Sequence, residues 1–219
     1  MKKRKSKLVL IGSVLLAAFT LWTAAVHFVD VQPIDPNGSS VGFASVNGFV
    51  HKAIGVHFEL YTISDWLGLI PIGFVLGFAV LGLMQLVRRR SLFKVDRSIL
   101  VLGGFYIVVF AAYLLFEKVV INYRPVLIDG VLEVSYPSST TMLALCVIPT
   151  AMMQLKSQIK RSAVRRVVLV ILAAFAAFMV AGRLISGVHW LTDIIGGVLL
   201  SAGLVTLYAA VCNDTAARI

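Results

Sequence analysis

The chain has 219 residues, of which 59% are hydrophobic and only 14% are charged, and its formal net charge is +10. This length suits one domain over residues 1–219, and this composition is typical of a membrane-embedded protein rather than a soluble one. Such a positive charge would fit a nucleic-acid-binding protein, but its distribution around the apolar segments excludes that class.

Six apolar segments are long enough, or nearly long enough, to cross a bilayer, whose hydrocarbon core of about 30 Å needs roughly 20 helical residues. In chain order these segments are Leu8–Phe28, Trp66–Val87, Ile99–Phe116, Ser139–Leu155, Val167–Ile185 and Leu191–Cys212. The fourth is short and the sixth is rich in glycine. The pattern predicts an all-α, polytopic membrane helical bundle with about six transmembrane helices.

Most basic residues lie on one side of this six-span arrangement. All but four of the 20 Lys and Arg residues lie on this side. They precede the first span, lie between the second and third spans, or lie between the fourth and fifth spans, and Arg218 follows the sixth span. The positive-inside rule makes that side cytoplasmic, which places both termini inside. The other four basic residues lie outside with all four histidines. We therefore expect a multi-pass protein of the cell membrane whose chemistry takes place on the extracytoplasmic side.

The stretch from Gly182 to Asp193 combines three groups suited to phosphate chemistry. Arg183 offers a planar fork of donors for phosphate oxygens, and His189 can be a nucleophile or a proton carrier near neutral pH. If the chain is helical from Trp190 onward, Asp193 lies one turn from His189 on the same face and can orient its ring. For each of these residues alone, the alternative is an interfacial anchor without a chemical role.

The spacing of these residues, Arg, five residues, His, three residues, Asp, resembles the third signature of the type 2 phosphatidic acid phosphatase (PAP2) superfamily. Only the leading serine of that signature differs, because Gly182 stands in its place. The resemblance implies that His189 attacks phosphorus, that Arg183 binds the phosphate and that Asp193 holds the histidine.

The segment after the third predicted span resembles the first signature of the same family, which is a lysine, six residues and Arg-Pro. Arg124 and Pro125 match, but Glu117 stands at the lysine position and Lys118 follows one residue later. One residue is about 100° of rotation on a helix, which the long stem of Lys118 can partly offset. The resemblance implies that Arg124 binds phosphate, whereas Lys118 is either a further phosphate ligand or a snorkelling interfacial charge.

The fourth predicted span opens with Tyr136-Pro137-Ser138-Ser139-Thr140, against Pro-Ser-Gly-His in the second signature of the family. Pro followed by hydroxyl residues is also a good helix start, and free N–H groups at a helix N-terminus attract phosphate. We therefore expect Ser138, Ser139 and Thr140 at the phosphate site. Thr140 replaces the histidine that protonates the leaving group in the family.

Several other features receive structural interpretations. Residues Val46–Tyr61 are predicted to form a short amphipathic helix at the interface, where His51 and His57 are interfacial or capping residues. The alternative for His57 is that it folds over the site and supplies the proton that Thr140 does not. Cys146 and Cys212 lie within or at the end of spans and are interpreted as packing residues. No pattern indicates a metal site or another cofactor.

Three functions remain as hypotheses. The first is a metal-independent lipid phosphatase that hydrolyses an isoprenoid or lipid (di)phosphate at the outer face through a phosphohistidine. Undecaprenyl diphosphate is the preferred substrate because Thr140 is not a histidine, with phosphatidic acid or phosphatidylglycerophosphate as the alternative. The second is a catalytically weak lipid-phosphate binding protein. The third, a transporter, is disfavoured because ionisable residues lie at span ends. The expected partners are the lipid substrate and the bilayer, with no nucleic acid and with the oligomeric state open.

Overall fold

The computed structural model describes residues 2–34 and 36–215, and it confirms the all-α membrane fold. The helices are α1 (Lys2–Phe28), α2 (Ala44–Ile54), α3 (Phe58–Leu67), α4 (Leu69–Arg89), α5 (Arg97–Lys118), α6 (Ser139–Gln158), α7 (Ser162–Ile185) and α8 (Leu191–Thr215). Two short strands between α1 and α2, β1 (Gln32–Pro33) and β2 (Ser40–Val41), pair antiparallel. Each predicted span falls within one of these helices, except the second, which begins in the last turn of α3.

Five helical stretches of the described chain are long and apolar enough to cross a membrane: Lys3–Phe28, Phe58–Arg89, Arg97–Lys118, Ser162–Ile185 and Leu191–Cys212. The predicted fourth span forms as α6, but it does not reach the same hydropathy because it carries buried polar side chains. Thr150 lies 3.2 Å from the hydroxyl of Tyr106, and Gln154 Nε2 donates to the hydroxyl of Tyr208 at 2.7 Å. These partners lie on α5 and α8, so α6 is an inner helix, and the polar groups of Thr150 and Gln154 are satisfied within the bundle.

Helices α1 and α8 pack closely through two glycines. A Cβ atom on Gly12 would lie 2.7 Å from Cδ2 of Leu207, and one on Gly203 would lie 2.7 Å from Cδ2 of Leu16. Glycine at these positions lets the two helix backbones approach each other, as small residues do in membrane bundles. This close packing holds the later part of α8 against α1.

The two ends of the bundle differ in charge and in polar contacts. At one end, the N–H of Ser138 at the start of α6 donates to the carbonyl of Asp193 in the first turn of α8 at 3.1 Å. At the other end, Arg89 forms an ion pair of 2.8 Å with Asp96. The basic ends of α1, α4, α6 and α7 lie at this second end, away from the candidate site. Arg218 lies outside the described residues, and which end is cytoplasmic stays a prediction.

The single amphipathic helix predicted over Val46–Tyr61 is wrong, because α2 ends at Ile54 and α3 begins at Phe58. Gly55, which has a φ of 75°, interrupts the helical conformation between them. A Cβ atom on Gly187, between α7 and α8, would come within 2.0 Å of the Gly55 carbonyl oxygen, so only glycine permits this approach. The break allows the segment between α2 and α3 to lie against the α7–α8 loop.

Candidate active site

His189 lies in the loop between α7 and α8 and is buried, with 3% of its surface exposed. Its Nε2 atom is 3.2 Å from a terminal nitrogen of Arg124. A guanidinium group can only donate hydrogen bonds, so Nε2 is the acceptor and the ring proton belongs on Nδ1. Nδ1 lies 3.6 Å from Oδ2 of Asp193. This is the tautomer that a nucleophilic histidine needs, with the electron pair of Nε2 directed at the guanidinium of Arg124.

The surroundings of His189 keep its ring neutral. Burial lowers the pKa of His189 well below its ordinary value, and the positive charges of Arg124 and Arg183 lower it further. An interaction with the backbone of Ser135 acts in the opposite direction but is the smallest of these effects. A neutral imidazole can act as a nucleophile, whereas an imidazolium cannot.

Asp193 is fully buried and held by three hydrogen bonds. Oδ1 accepts from the side-chain amide of Asn122 at 3.2 Å, and Oδ2 accepts from the backbone N–H of Trp190 at 3.0 Å. The backbone carbonyl of Asp193 accepts from the N–H of Ser138 at 3.1 Å. Because both carboxylate oxygens have fixed partners, the carboxylate is aimed at Nδ1 of His189.

Asn122 is a site residue that the sequence reasoning did not identify as functional. Its Oδ1 accepts from the N–H of Gly42 at 3.4 Å, which directs its amide hydrogens toward Asp193. Asn47 of α2 donates to the carbonyl of Gly42 at 2.8 Å and to the hydroxyl of Thr192 at 2.9 Å. The segment between α1 and α2 therefore holds the first turn of α8. The position of Asn122, two residues before the arginine of the first signature, is the one sequence feature that could have suggested it.

Arg183 is 1% exposed at the end of α7, and its partners come from α3. A terminal nitrogen of Arg183 lies 3.4 Å from Oγ of Ser64 and 3.5 Å from Oδ1 of Asp65. Its guanidinium carbon is 4.9 Å from the ring centroid of Tyr61, and that of Arg124 is 5.9 Å from the same centroid. Tyr61 thus contacts both guanidinium groups through cation–π interactions, which offset part of their mutual repulsion.

Arg124 also has an acidic partner. Its Nε lies 2.9 Å from Oε2 of Glu133 and forms an ion pair with that carboxylate. The Nε–H group nevertheless has no hydrogen-bond partner. The backbone N–H of Arg124 donates to the carbonyl of Glu133 at 2.9 Å. Each arginine of the site therefore has one carboxylate beside it.

The three hydroxyl residues at the start of α6 occupy two different environments. Ser138 is buried and caps the helix, its Oγ accepting from the N–H of Thr141 at 3.5 Å. Ser139 and Thr140 are half-buried and line a cavity of about 520 Å³ between α4, α5 and α6, together with Asp65. The rest of this cavity is lined mainly by apolar residues, among them Ile72, Val75, Val109, Phe110 and Leu143.

The structure does not bring Lys118 to the site. Lys118 is exposed at the end of α5, whereas Glu117, at the lysine position of the first signature, lines a small cavity with Ser135 and Ser139. The side chain of Lys118 therefore does not compensate for its position one residue after the lysine position of the first signature.

The two histidines near α2 lie outside the cluster of Arg124, Arg183 and His189. His51 contacts the carbonyl of Gly187 through Nε2 at 3.1 Å, and burial lowers its pKa. His57 is exposed, and its Nε2 lies 3.0 Å from the carbonyl of Ile54.

Both cysteines are free, Cys146 buried and Cys212 partly buried. Within residues 2–34 and 36–215, no group of three or more His, Cys, Asp or Glu side chains is arranged to hold a metal ion.

Fold and site together define a polytopic membrane protein with a buried histidine–aspartate pair and two arginines where its helices meet. The sequence model of the PAP2 superfamily matches residues 104–216, more than half of the chain. The chain therefore belongs to the PAP2 superfamily.

The fold is similar to that of a transmembrane PAP2-type phosphatidylglycerolphosphate phosphatase from Bacillus subtilis. The TM-score is 0.57 and the sequence identity 22%, over 93% of this chain and 95% of the other. A comparison with curated protein sequences found no match. The family match includes Arg124, Arg183, His189 and Asp193, whereas α3, which supplies the partners of Arg183, lies outside it.

Proposed function

We propose that this protein is a membrane lipid phosphatase that forms a phosphohistidine on His189. The observation that carries this proposal is the contact of 3.2 Å between Nε2 of His189 and the guanidinium of Arg124. This contact brings the electron pair of Nε2 next to a positively charged hydrogen-bond donor. A phosphate attacked by His189 would lie beside both groups. Membership of the PAP2 superfamily supports the same reaction class.

Unpaired buried polar atoms support the same location for the phosphate. Among the described residues, five buried side-chain atoms have no hydrogen-bond partner: Arg124 Nε, Ser135 Oγ, Thr141 Oγ1, Arg183 Nε and His189 Nδ1. Three of the five belong to the two arginines and the histidine. An unpaired buried polar group costs about 1–3 kcal/mol, so a phosphate whose oxygens accept from both arginines would recover part of that cost.

The reaction then follows from these positions. A phosphate held by Arg124 and Arg183 takes over the donors of Arg124, which frees Nε2 of His189 for in-line attack. The bond from phosphorus to Nε2 forms as the bond from phosphorus to the bridging oxygen breaks, and the lipid departs with that oxygen, as a monophosphate from a diphosphate or as an alcohol from a monophosphate. Asp193 then accepts a hydrogen bond from Nδ1. Positioning and charge neutralisation by the arginines supply most of the acceleration, and no metal is required. Water hydrolyses the phosphohistidine in the second step.

The apolar cavity beside the site supports a lipid substrate. Its polar end is formed by Asp65, Ser139 and Thr140, and its walls are the apolar faces of α4, α5 and α6. A phosphate at the arginines would thus have its hydrocarbon chain in an apolar channel, which fits a long-chain ester or diphosphate.

The residue at position 140 favours a diphosphate substrate. A lipid monophosphate expels an alkoxide, which is as strongly basic as hydroxide, so a proton donor is needed. A diphosphate expels a phosphate monoester, whose second pKa is about 6, and this group leaves without a proton. Because Thr140 cannot donate as a histidine does, we propose an isoprenoid diphosphate such as undecaprenyl diphosphate as the substrate. Phosphatidic acid and phosphatidylglycerophosphate are the alternatives.

A second function is favoured by two departures from the family signatures. Glu117 replaces the lysine and Thr140 replaces the histidine, and the structure brings no lysine in their place. These departures would suit a protein that binds a lipid phosphate with little turnover.

One assay separates the two functions. Purified protein in detergent, with a chelator present, is given a panel of lipid mono- and diphosphates, and phosphate release is measured. We expect turnover by the parent and none by His189→Ala, with an unchanged melting temperature. His27→Ala, which replaces an exposed histidine at the end of α1, is the matched control and should keep full activity. Near-parental turnover by His189→Ala would exclude the phosphohistidine, and binding without turnover by the parent would favour the second function.

A further inference from the structure

Hydrolysis of the phosphohistidine needs a group that takes a proton from water. Thr140 stands where the family has a histidine, and a threonine hydroxyl is a poor base near neutral pH. His189 itself is occupied by the phosphoryl group during this step. The base must therefore be another residue that lies beside the phosphate on the side from which the lipid has departed.

Helix α3 presents three side chains to Arg183 at this place. Tyr61, Ser64 and Asp65 are spaced three and four residues apart, so they lie on one face of the helix. The Asp65 carboxylate is 3.5 Å from the terminal nitrogen of Arg183. A carboxylate at this distance lies beside a phosphate bound by the same guanidinium and can accept a hydrogen bond from a water that approaches it.

Asp65 also lies on the leaving-group side. It lines the apolar cavity together with Ser139 and Thr140, whereas His189 is not among the residues that line it. A lipid chain in that cavity would leave from the face of the phosphorus opposite Nε2 of His189. The attacking water enters through the same face, because both steps are in-line displacements.

The chain after Asp65 packs directly on the position of the missing histidine. The N–H of Gly68 donates to the carbonyl of Asp65 at 2.9 Å. A Cβ atom on Gly68 would lie 3.5 Å from Cγ2 of Thr140. The turn between α3 and α4 therefore places Asp65 close to Thr140, on the same side of the phosphate.

We propose that Asp65 is a catalytic residue that accepts a proton from the water attacking the phosphohistidine. This inference rests on the proposed function. The oxygen–phosphorus bond forms while the phosphorus–Nε2 bond breaks, and the bonding electrons return to Nε2 of His189. One water proton passes to the Asp65 carboxylate and the rest of the water leaves as part of the phosphate. The Asp65 side chain is 58% exposed, so it returns its proton to solvent before the next substrate binds.

The other carboxylates near the site are less suited to this step. Glu133 pairs with Arg124 but is not among the residues lining the apolar cavity. Glu117 lines a separate small cavity on the far side of Ser139. Asp193 is fully buried, and both of its oxygens are engaged by Asn122 and Trp190.

The test separates formation of the phosphohistidine from its breakdown. Undecaprenyl diphosphate labelled with ³²P in the terminal phosphate is mixed with excess protein, and acid-labile, alkali-stable label on the protein is followed over time. Phosphatidic acid labelled in its phosphate replaces this probe if the parent does not cleave the diphosphate. In Asp65→Asn we expect formation within about twofold of the parent and breakdown about 100-fold slower, so that labelled protein accumulates.

Two further variants sharpen the result. Glu133→Gln removes the carboxylate beside the other arginine and is the matched control, in which no labelled protein should accumulate. Thr140→His in the Asp65→Asn background returns a histidine to the family position and should restore breakdown.

Other outcomes would contradict either the catalytic role of Asp65 or the proposed function. Equal slowing of formation and breakdown in Asp65→Asn would mean that Asp65 only positions Arg183. Unchanged breakdown would exclude Asp65 as the base and leave the phosphatase intact. A parent that neither releases labelled phosphate nor carries label on His189, together with an Asp65→Asn variant that does neither, would overturn the proposed function itself.

Discussion

Arg124 donates a hydrogen bond to Nε2 of His189 across 3.2 Å, so the proposed phosphate-binding arginine and the proposed nucleophile are in direct contact. A protonated His189 would present an N–H to a guanidinium that can only donate, and this contact would become repulsive. The position of Arg124 therefore favours the neutral form of His189, as burial of the ring also does.

The first prediction concerns the pH dependence of kcat/KM, which reports the ionisation of the free enzyme. Burial lowers the pKa of His189 well below the ordinary 6.5, so the unprotonated, active form persists as the pH falls through that value. We expect kcat/KM to show no loss from protonation of His189 down to pH 6.5 and to decline for this reason only at lower pH. In Arg124→Gln the decline should move to higher pH, because one of the charges that lowers this pKa is lost. The measurement is kcat/KM against pH at subsaturating substrate in detergent, and a decline in the parent that is centred at or above 6.5 would contradict the neutral, buried nucleophile.

The second prediction concerns Asn122. Asn122→Leu leaves Oδ1 of Asp193 without its donor, and a lost bond to a buried charged group costs about 1–3 kcal/mol. If this cost falls on the transition state, kcat decreases about 10- to 100-fold. KM should change little, because Asn122 bonds to neither arginine.

The control for this prediction is Asn47→Leu. Asn47 belongs to the same hydrogen-bonded network but bonds to Thr192 and Gly42 rather than to Asp193. It should lower the melting temperature with a smaller effect on kcat. Equal losses of kcat in both variants would show that Asn122 acts through stability alone.

The parts of the site that could be predicted from the sequence are those set by local geometry. His189 lies two residues before α8 and Asp193 lies in its first turn, so a separation of four residues already predicts that the two side chains are close. The apolar runs likewise predicted the helices, because a bilayer requires a fixed length of apolar helix.

The parts that could not be predicted depend on contacts between distant segments. Ser64 and Asp65 reach Arg183 from more than 100 residues away, and the break at Gly55 that frees α3 to do so depends on its packing against Gly187. Asn47 reaches Thr192 across 145 residues. No periodicity or spacing in one sequence encodes such pairings.

The third prediction concerns orientation. The basic residues at the ends of α1, α4, α6 and α7 lie at one end of the bundle and the candidate site lies at the other. The positive-inside rule then places the site outside the cytoplasm. Single cysteines are introduced into a variant lacking Cys146 and Cys212, and intact cells are treated with a membrane-impermeant maleimide.

Labelling in intact cells is expected for cysteines at Gly38 and Asp129. Cysteines at Ser91 and Lys160 should be labelled only after permeabilisation. The reverse pattern would show that the site faces the cytoplasm.

The fourth prediction concerns the leaving group. With Thr140 in place of a histidine, we expect the parent to cleave a diphosphate faster than the monophosphate of the same lipid, because only the monophosphate must expel an alkoxide. Thr140→His should raise turnover of the monophosphate more than that of the diphosphate. His57→Ala should change neither rate, since this exposed side chain contacts the carbonyl of Ile54 rather than the site. Turnover of matched lipids by the parent and both variants decides the question. Faster cleavage of monophosphates by the parent, unaltered in His57→Ala, would refute the leaving-group argument.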